Sequence, residues 1–322
     1  MTRSGGRAAP AAGSAAPRTL TAVGGLRVGH AADDAARTGC TVVLGPFRAA
    51  VDVRGSATGT REFGTLAPDH LAARVDAILL TGGSVFGLAA ADGVTRWLEA
   101  RGQGFDVGVA RVPIVVSAVL FDLHVGDPGR RPDAAMGHAA CDAATDGPVR
   151  EGRVGAGAGA TVGKGVPGTR PDDGGVGSWA VPVGPHVVAA LVVVNSMGDV
   201  RDDAGAIVAG ARTADGAPID VSRALIEGYG SPPTFGPGAA TTLAVVATDA
   251  PLDRVALGTL ARAGSSGLAR RIRPYGTPFD GDVVFAASTA VAAEAVAPGG
   301  LLALCAAAGD ACAEAVTRAV AG

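Results

Sequence analysis

Short apolar segments separated by Gly, Pro or Asp recur along the chain and predict a protein built largely on β-strands. They are rich in β-branched residues, and several are apolar at consecutive positions, which is typical of sheets covered on both faces. The predicted strands are 41–44, 49–53, 77–80, 114–119, 187–194, 243–248 and 283–286.

Apolar residues at helical spacing predict three helices. The first is capped by Ser84 and runs to about residue 100. Its apolar stripe consists of Leu88, Val94, Trp97 and Leu98. The second covers 252–272, and we expect a break near its glycines at 264–267. The third, 301–320, is mostly alanine, which predicts close packing against a neighbouring element.

Composition narrows the class of protein. Of 322 residues 48% are hydrophobic, which excludes a disordered chain, and the net charge of −3 gives no basic excess for nucleic acid. No apolar run is clearly longer than 187–194, a strand-sized segment, so we expect no membrane span. The Ala/Gly/Pro/Ser-rich segment 1–20 is expected to be a disordered tail before a single domain over 21–322.

The four cysteines are widely spaced and form no CxxC pair, which argues against a zinc ribbon or a thioredoxin-type centre. Such sparse cysteine is typical of a reducing compartment, so we expect a cytoplasmic protein. The five histidines show no metal-ligand spacing, and no GxSxG motif is present, which leaves a serine hydrolase triad unsupported.

A glycine-rich run, 155–164, ends in Lys164. It lacks the spacing of a P-loop, and the GxGxxA pattern inside it is neither preceded by a predicted strand nor followed by a predicted helix. Nucleotide binding is therefore disfavoured. The run is then interpreted as a loop whose backbone packs closely against other segments and which positions the amine of Lys164. A flexible surface lysine is an equally good interpretation.

The segment 236–250 is the most informative. A Gly/Pro-rich stretch ends at Ala240, and a threonine pair, Thr241 and Thr242, then opens an apolar strand. If the peptide bond before Thr241 were cut, this residue would carry both a nucleophilic hydroxyl and an α-amine able to accept the hydroxyl proton near neutral pH. An ordinary Thr-rich strand start is the alternative, and composition alone favours it.

Three further residues fit the same chemistry. Asp280 and Asp282 flank one glycine and could together hold a positive amine, although Asp-Gly is also a common turn. Asn195 follows the run 187–194, where its amide N–H could stabilise an oxyanion. The alternative for Asn195 is a turn residue.

With these residues in view, the chain resembles the self-processing N-terminal-nucleophile amidohydrolases that include β-peptidyl aminopeptidases and nylon-oligomer (6-aminohexanoate-oligomer) hydrolases. No single motif is decisive, but their joint order over about residues 22–290 is specific. The matching stretches are 26–30, 38–42, 51–55, 59–62, 80–89, 155–164, 194–195, 241–242, 247–250 and 280–282.

The resemblance implies an α+β fold, an αββα sandwich of two packed sheets with helices outside. It implies a precursor cut into pieces 1–240 and 241–322, with Thr241 as nucleophile and Asn195 at the oxyanion position. It also places Lys164 near the nucleophile and assigns Asp280 and Asp282 to orienting and charging the threonine. Homo-oligomers of processed units, a tetramer of such heterodimers, are implied too, and neither metal nor organic cofactor is required.

Threonine as nucleophile, together with Lys164 and the Asp-Gly-Asp stretch, favours the nylon-oligomer branch. That branch usually has Asn before the nucleophile, and Ala240 departs from it, so cleavage could be slower although the attacking hydroxyl is present. The expected activity is endo-type hydrolysis of amides in linear oligomers. Short peptides with β- or D-residues, acyl transfer to an amine, and an unprocessed, non-catalytic binding scaffold stay open as alternatives.

Overall fold

The computed structural model describes residues 18–228, 240–294 and 296–321. The predicted tail, 1–20, lies almost wholly outside the described residues, and so does most of the Gly/Pro-rich stretch before Ala240.

Strands and helices alternate irregularly along the described chain. The strands are β1 (Arg27–Asp33), β2 (Thr38–Val53), β3 (Thr60–Arg61), β4 (Val75–Thr81), β5 (Phe105–Asp106), β6 (Arg111–Val112), β7 (Val115–Val119), β8 (Thr161–Val162), β9 (Arg170–Asp173), β10 (Gly175–Val183), β11 (His186–Asn195), β12 (Asp199–Arg201), β13 (Ile207–Ala209), β14 (Ala211–Arg212), β15 (Pro218–Ile219), β16 (Thr241–Thr248), β17 (Ile272–Arg273) and β18 (Val283–Ser288). The α-helices are α1 (Ala90–Glu99), α2 (Ala134–Asp142), α3 (Val221–Ile226), α4 (Arg254–Arg271) and α5 (Pro298–Ala319). Each predicted strand overlaps an observed one, and 41–44 and 49–53 are two parts of β2.

The two main sheets share the long strand β2. Its first half pairs with β1 and β4, its second half pairs with β18, and the register shifts between Leu44 and Phe47. The first sheet therefore has the order β1-β2-β4-β7-β3, and the second has the order β2-β18-β16-β11-β10. Pairing is antiparallel except for β4 with β7 and β16 with β18.

Side chains alternate between two faces along each strand, which separates three apolar cores. The core between the sheets takes residues from both, among them Val43, Ile78, Leu191, Val245 and Phe285. The intervening positions face outward: Val42 and Leu79 pack with α1 and α2, while Val246 and Val284 pack with α4 and α5. The result is four layers in the order α-β-β-α, as expected.

Two helix predictions need correction. Ser84 does not cap α1: it begins a 3₁₀ segment, Ser84–Ala89, has a φ of 53°, and makes no capping hydrogen bond through its side chain. The helix over 252–272 is not broken, because α4 runs continuously through Gly264 and Gly267. A Cβ at position 267 would lie 2.2 Å from the carbonyl oxygen of Gly309 in α5, so this glycine allows close helix packing.

The alanine-rich helix α5 is long and apolar enough to cross a membrane by length and composition alone. A buried core helix passes the same test, and in this fold α5 packs against α4 and against β10 and β11 of the second sheet. Its apolar residues are therefore explained by its place in the outer layer of the sandwich.

Candidate active site

Strand register brings four sequence-predicted residues together at one end of the second sheet. β16 is a central strand between antiparallel β11 and parallel β18. The end of β11 therefore meets the start of β16, and Asn195 pairs directly with Thr241. On the other side the starts of β16 and β18 lie together, and Ala240 forms a parallel bridge with Asp280. This convergence is what the combined motifs predicted.

The peptide bond between Ala240 and Thr241 is buried and contacted from two directions. Thr241 Oγ1 donates to the carbonyl oxygen of Ala240 at 2.6 Å. The main-chain N–H of Gly281 donates to the same oxygen at 3.0 Å. The hydroxyl thus lies beside the carbonyl whose carbon it would attack in self-cleavage.

Asp280 and Asp282 are both buried beside this bond and are held by main-chain donors. Asp282 accepts from Thr242 N at 2.5 Å and from Gly276 N at 3.0 Å, and Asp280 Oδ2 accepts from Thr277 N at 2.8 Å. Among the described residues, Asp280 Oδ1 has no hydrogen-bond partner although it is buried. Burial raises the pKa of both carboxyls, and the neighbouring Asp280 raises that of Asp282 further.

Lys164 joins the site through Asn195. Its Nζ donates to Asn195 Oδ1 at 2.5 Å and to the carbonyl oxygens of Asn195 and Thr161, each at 3.1 Å. Burial lowers the pKa of Lys164 to about 7, against the opposing effect of the carboxylates of Asp280, Asp122 and Asp282. The lysine therefore titrates near neutral pH and lies within electrostatic reach of the acidic pair.

Asn195 is fully buried at the end of β11, and its side-chain amide has a fixed orientation. Oδ1 accepts from Lys164 and from Thr161 N at 3.1 Å, while Nδ2 donates to the carbonyl oxygen of Phe121 at 3.0 Å. A primary amide has two N–H donors. The contact with Phe121 uses one of them.

The glycine-rich run before Lys164 is packed rather than flexible. A Cβ at Gly155 would lie 2.4 Å from Thr41 Oγ1, and one at Gly159 would lie 2.0 Å from the carbonyl oxygen of Arg37. This packing against the loop before β2 and against β2 itself fixes the path of the chain to Lys164. The interpretation as a loop of close approach fits this geometry better than a flexible surface lysine does.

Sequence reasoning missed a third buried carboxyl, Asp122. It accepts from Thr38 Oγ1 and from Gly83 N, each at 2.7 Å. Burial raises its pKa, and nearby Lys164 opposes that shift. Its position just after β7 resembles that of Asn195 at the end of β11, so a polar residue following a buried strand is the sequence feature that could have identified it.

A cavity of about 230 Å³ opens onto the bond between Ala240 and Thr241. Its lining consists of Ala57, Thr58, Gly59, Ser84, Val85, Val119, Leu120, Phe121, Ala240, Thr241 and Phe279. None of these side chains is charged, so the cavity suits an apolar group. Ser84, with its positive φ, is a strained residue, and such residues are often found at functional sites.

Over the described ranges, no group of three or more His, Cys, Asp and Glu side chains is arranged to hold a metal ion. The carboxyl oxygens of Asp280 and Asp282 that have partners accept from main-chain N–H groups. The chemistry that these residues offer is a hydroxyl nucleophile with buried acids, an amine and amide donors.

The chain is similar to several known proteins. The chain is 43% identical to an uncharacterised aminopeptidase of Mycobacterium tuberculosis, over 94% of this chain and 92% of that protein. It is 35% identical to a 6-aminohexanoate-oligomer endohydrolase of Kocuria sp., over 82% of this chain and 73% of that protein.

Solved structures include a β-aminopeptidase of Burkholderia sp., which matches with a TM-score of 0.70 and 26% identity over 94% of this chain and 86% of that one. The profile of peptidase family S58 matches residues 18–322. The expected kinship with aminopeptidases and nylon-oligomer hydrolases is thus confirmed: the chain belongs to peptidase family S58 and is an amide-bond hydrolase.

Proposed function

We propose that the protein is a self-processing hydrolase with Thr241 as its nucleophile. The observation that carries this proposal is the 2.6 Å contact between Thr241 Oγ1 and the carbonyl oxygen of Ala240, next to two buried acids. This contact between the hydroxyl and the preceding carbonyl group supports an N→O acyl shift.

In the self-cleavage step, Thr241 Oγ1 forms a bond to the carbonyl carbon of Ala240 and loses its proton. The bond from that carbon to the nitrogen of Thr241 then breaks, and the nitrogen takes up a proton. Water hydrolyses the resulting ester, which restores the hydroxyl and releases the carboxyl group of Ala240. The pieces are 1–240 and 241–322. Only the main chain of Ala240 takes part, so alanine at this position is compatible with cleavage.

In turnover, the new α-amine of Thr241 is the general base for its own hydroxyl, and attack on a substrate amide gives an acyl-enzyme. The buried acids Asp280 and Asp282 hold this amine in place and stabilise the positive charge that forms when it accepts the hydroxyl proton. Asn195 donates its second amide N–H to the tetrahedral oxyanion. Lys164 positions Asn195 through the hydrogen bond to Oδ1 and contributes positive charge near neutral pH.

The substrate class that we propose is a linear oligomer cut at internal amide bonds, with 6-aminohexanoate-type oligomers first. Support comes from the uncharged, largely apolar cavity at the nucleophile, which suits a polymethylene chain. An aminopeptidase has to bind a charged terminal ammonium, and the lining residues offer no carboxylate for it. The relative in Kocuria sp. is named for this class of substrate.

Aminopeptidase action on short peptides with β- or D-residues is the second candidate, favoured by the higher identity to a protein named as an aminopeptidase. Two matched substrates separate the candidates: a 6-aminohexanoate oligomer with a free amino terminus and the same oligomer with an acetylated one. Endo-type cleavage predicts similar rates of product release from both. Loss of activity on the acetylated oligomer would favour the aminopeptidase.

The nucleophile is tested with Thr241→Ala, and Thr241→Ser is the matched control that keeps a hydroxyl. Denaturing electrophoresis and intact-mass analysis should show two pieces for the wild type, with Thr241 at a new amino terminus. Thr241→Ala should stay full-length and inactive, whereas Thr241→Ser should be cleaved. A wild-type protein that stays full-length after long incubation would support the non-catalytic scaffold instead, and two-band processing in Thr241→Ala would reject Thr241.

A further inference from the structure

The scissile carbonyl of Ala240 has a second contact besides the nucleophile. Gly281 N–H donates to its oxygen at 3.0 Å, the same oxygen that Thr241 Oγ1 approaches at 2.6 Å. A main-chain donor on a carbonyl oxygen withdraws electron density from the carbon. It also faces the position where negative charge develops when that carbon is attacked.

The loop that carries the Gly281 N–H is held by hydrogen bonds from the segment 54–57. Ala57 N donates to the carbonyl oxygen of Asp280 and Arg54 N to that of Asp282, each at 2.9 Å. Between them Gly55 passes so close that a Cβ there would lie 1.9 Å from the Asp280 oxygen. The 54–57 segment therefore braces the loop that presents the N–H of Gly281, so little reorganisation is needed during the reaction.

Space, rather than backbone conformation, explains glycine at position 281. Its φ is not positive, so other residues could adopt this backbone. A Cβ would, however, lie 2.7 Å from Thr241 Oγ1 and 2.9 Å from the carbonyl oxygen of Ala57. Any side chain at 281 would push against the nucleophile.

We propose that Gly281 is the oxyanion donor of the self-cleavage step, and that its missing side chain keeps the approach of Thr241 open. The inference rests on the proposed self-processing. As the bond from Oγ1 to the Ala240 carbon forms, the carbonyl π electrons move onto the oxygen and are stabilised by the Gly281 N–H. When the bond to the Thr241 nitrogen breaks, the carbonyl re-forms and the nitrogen takes up the proton. Asn195 has the corresponding role towards a substrate carbonyl, so maturation and turnover use different donors.

The test measures the first-order rate of cleavage in freshly translated full-length precursor, followed by electrophoresis and intact mass. Gly281→Ala should be cleaved at least about tenfold more slowly than wild type, because the Cβ displaces Oγ1 and the loop. Gly64→Ala is the matched control, since Gly64 has open space around its Cβ position and an ordinary φ. A Gly281→Ala rate within twofold of wild type overturns the steric part of the proposal.

The donor itself is tested by a semisynthetic precursor with glycolic acid in place of Gly281, which replaces only the N–H by oxygen. Removal of one oxyanion donor typically costs about 10²–10³ in rate, and we expect a loss of that order. An unchanged rate refutes the donor even if Gly281→Ala does not fold. If wild-type precursor is not cut at 240–241 at all, the proposed function fails. If wild type is cut and both altered forms match it, only the role of Gly281 fails.

Discussion

Three buried carboxyls and one lysine give the site an excess of acid in the uncut chain. Burial raises the pKa of Asp122, Asp280 and Asp282 and lowers that of Lys164 to about 7. In the proposed self-cleavage, the nitrogen of Thr241 changes from a neutral amide to a basic α-amine, which is a cation when protonated. Asp280 Oδ1, which has no partner among the described residues, is then available to accept from the new cation. Cleavage would thus supply a positive charge to balance the negative charge of Asp280 and Asp282.

This imbalance predicts how the stability of the uncut chain changes with pH. In Thr241→Ala, the folded protein keeps a proton on the acidic pair at a pH where unfolded aspartates, with a pKa of about 3.9, have lost theirs. Unfolding therefore releases a proton, and its free energy falls as the pH rises through the raised pKa of Asp282. Asp282→Asn in the same background should remove part of that fall.

The comparison uses urea unfolding of both variants at several values between about pH 5 and pH 8, with the exposed Asp69→Asn as the control. The difference in unfolding free energy between Thr241→Ala and the double variant should shift with pH in favour of the latter. Parallel pH profiles would mean that the acidic pair is ionised in the folded precursor.

At the scale of elements, the site is a consequence of strand register. One antiparallel neighbour of β16, β11, and one parallel neighbour, β18, put the end of β11 and the starts of β16 and β18 together. The sequence predicted these strands and the order of their motifs well, because buried β-branched runs with polar ends are local features. The roles of Asp122 and of the 54–57 segment could not be predicted from the sequence, because they depend on contacts between distant segments. For the same reason, the sequence alone indicates only a spacer between two acids at Gly281.

The glycines of α4, where the sequence predicted a break in the helix, lead to a prediction about helix packing and stability. Gly267→Ala places a Cβ 2.2 Å from the Gly309 carbonyl oxygen, so α4 and α5 have to move apart. We expect a loss of about 1–3 kcal/mol in unfolding free energy, the usual cost of overpacking. Gly258→Ala on the same helix meets only the end of Arg262 at 3.7 Å and should gain about 0.5–1 kcal/mol from helix propensity. Thermal and urea unfolding of the two variants check the opposite signs. Equal effects would contradict close packing at position 267.

At the scale of the whole molecule, the proposed cut divides the chain without dividing the fold. Piece 241–322 contains β16, β18, α4 and α5, and piece 1–240 supplies the remaining strands of the second sheet. β16 lies against β11 and β18 lies against β2, so strands of the two pieces interleave. α5 also packs on β10 and β11, which belong to the larger piece.

Neither piece can then complete its core alone. Without the smaller piece, β11 and β2 lose the strands that pair with their edges, and without the larger one, the pair β16–β18 exposes both of its outer edges. Processed protein should therefore elute as one species in native gel filtration and resolve into two bands only under denaturing conditions. The pieces expressed separately should be insoluble or unfolded, and mixing them after refolding should recover less activity than processing of an intact precursor. Native elution of a folded, isolated 241–322 piece would show that its helices and strands form an independent core, which the interleaved order of the second sheet argues against.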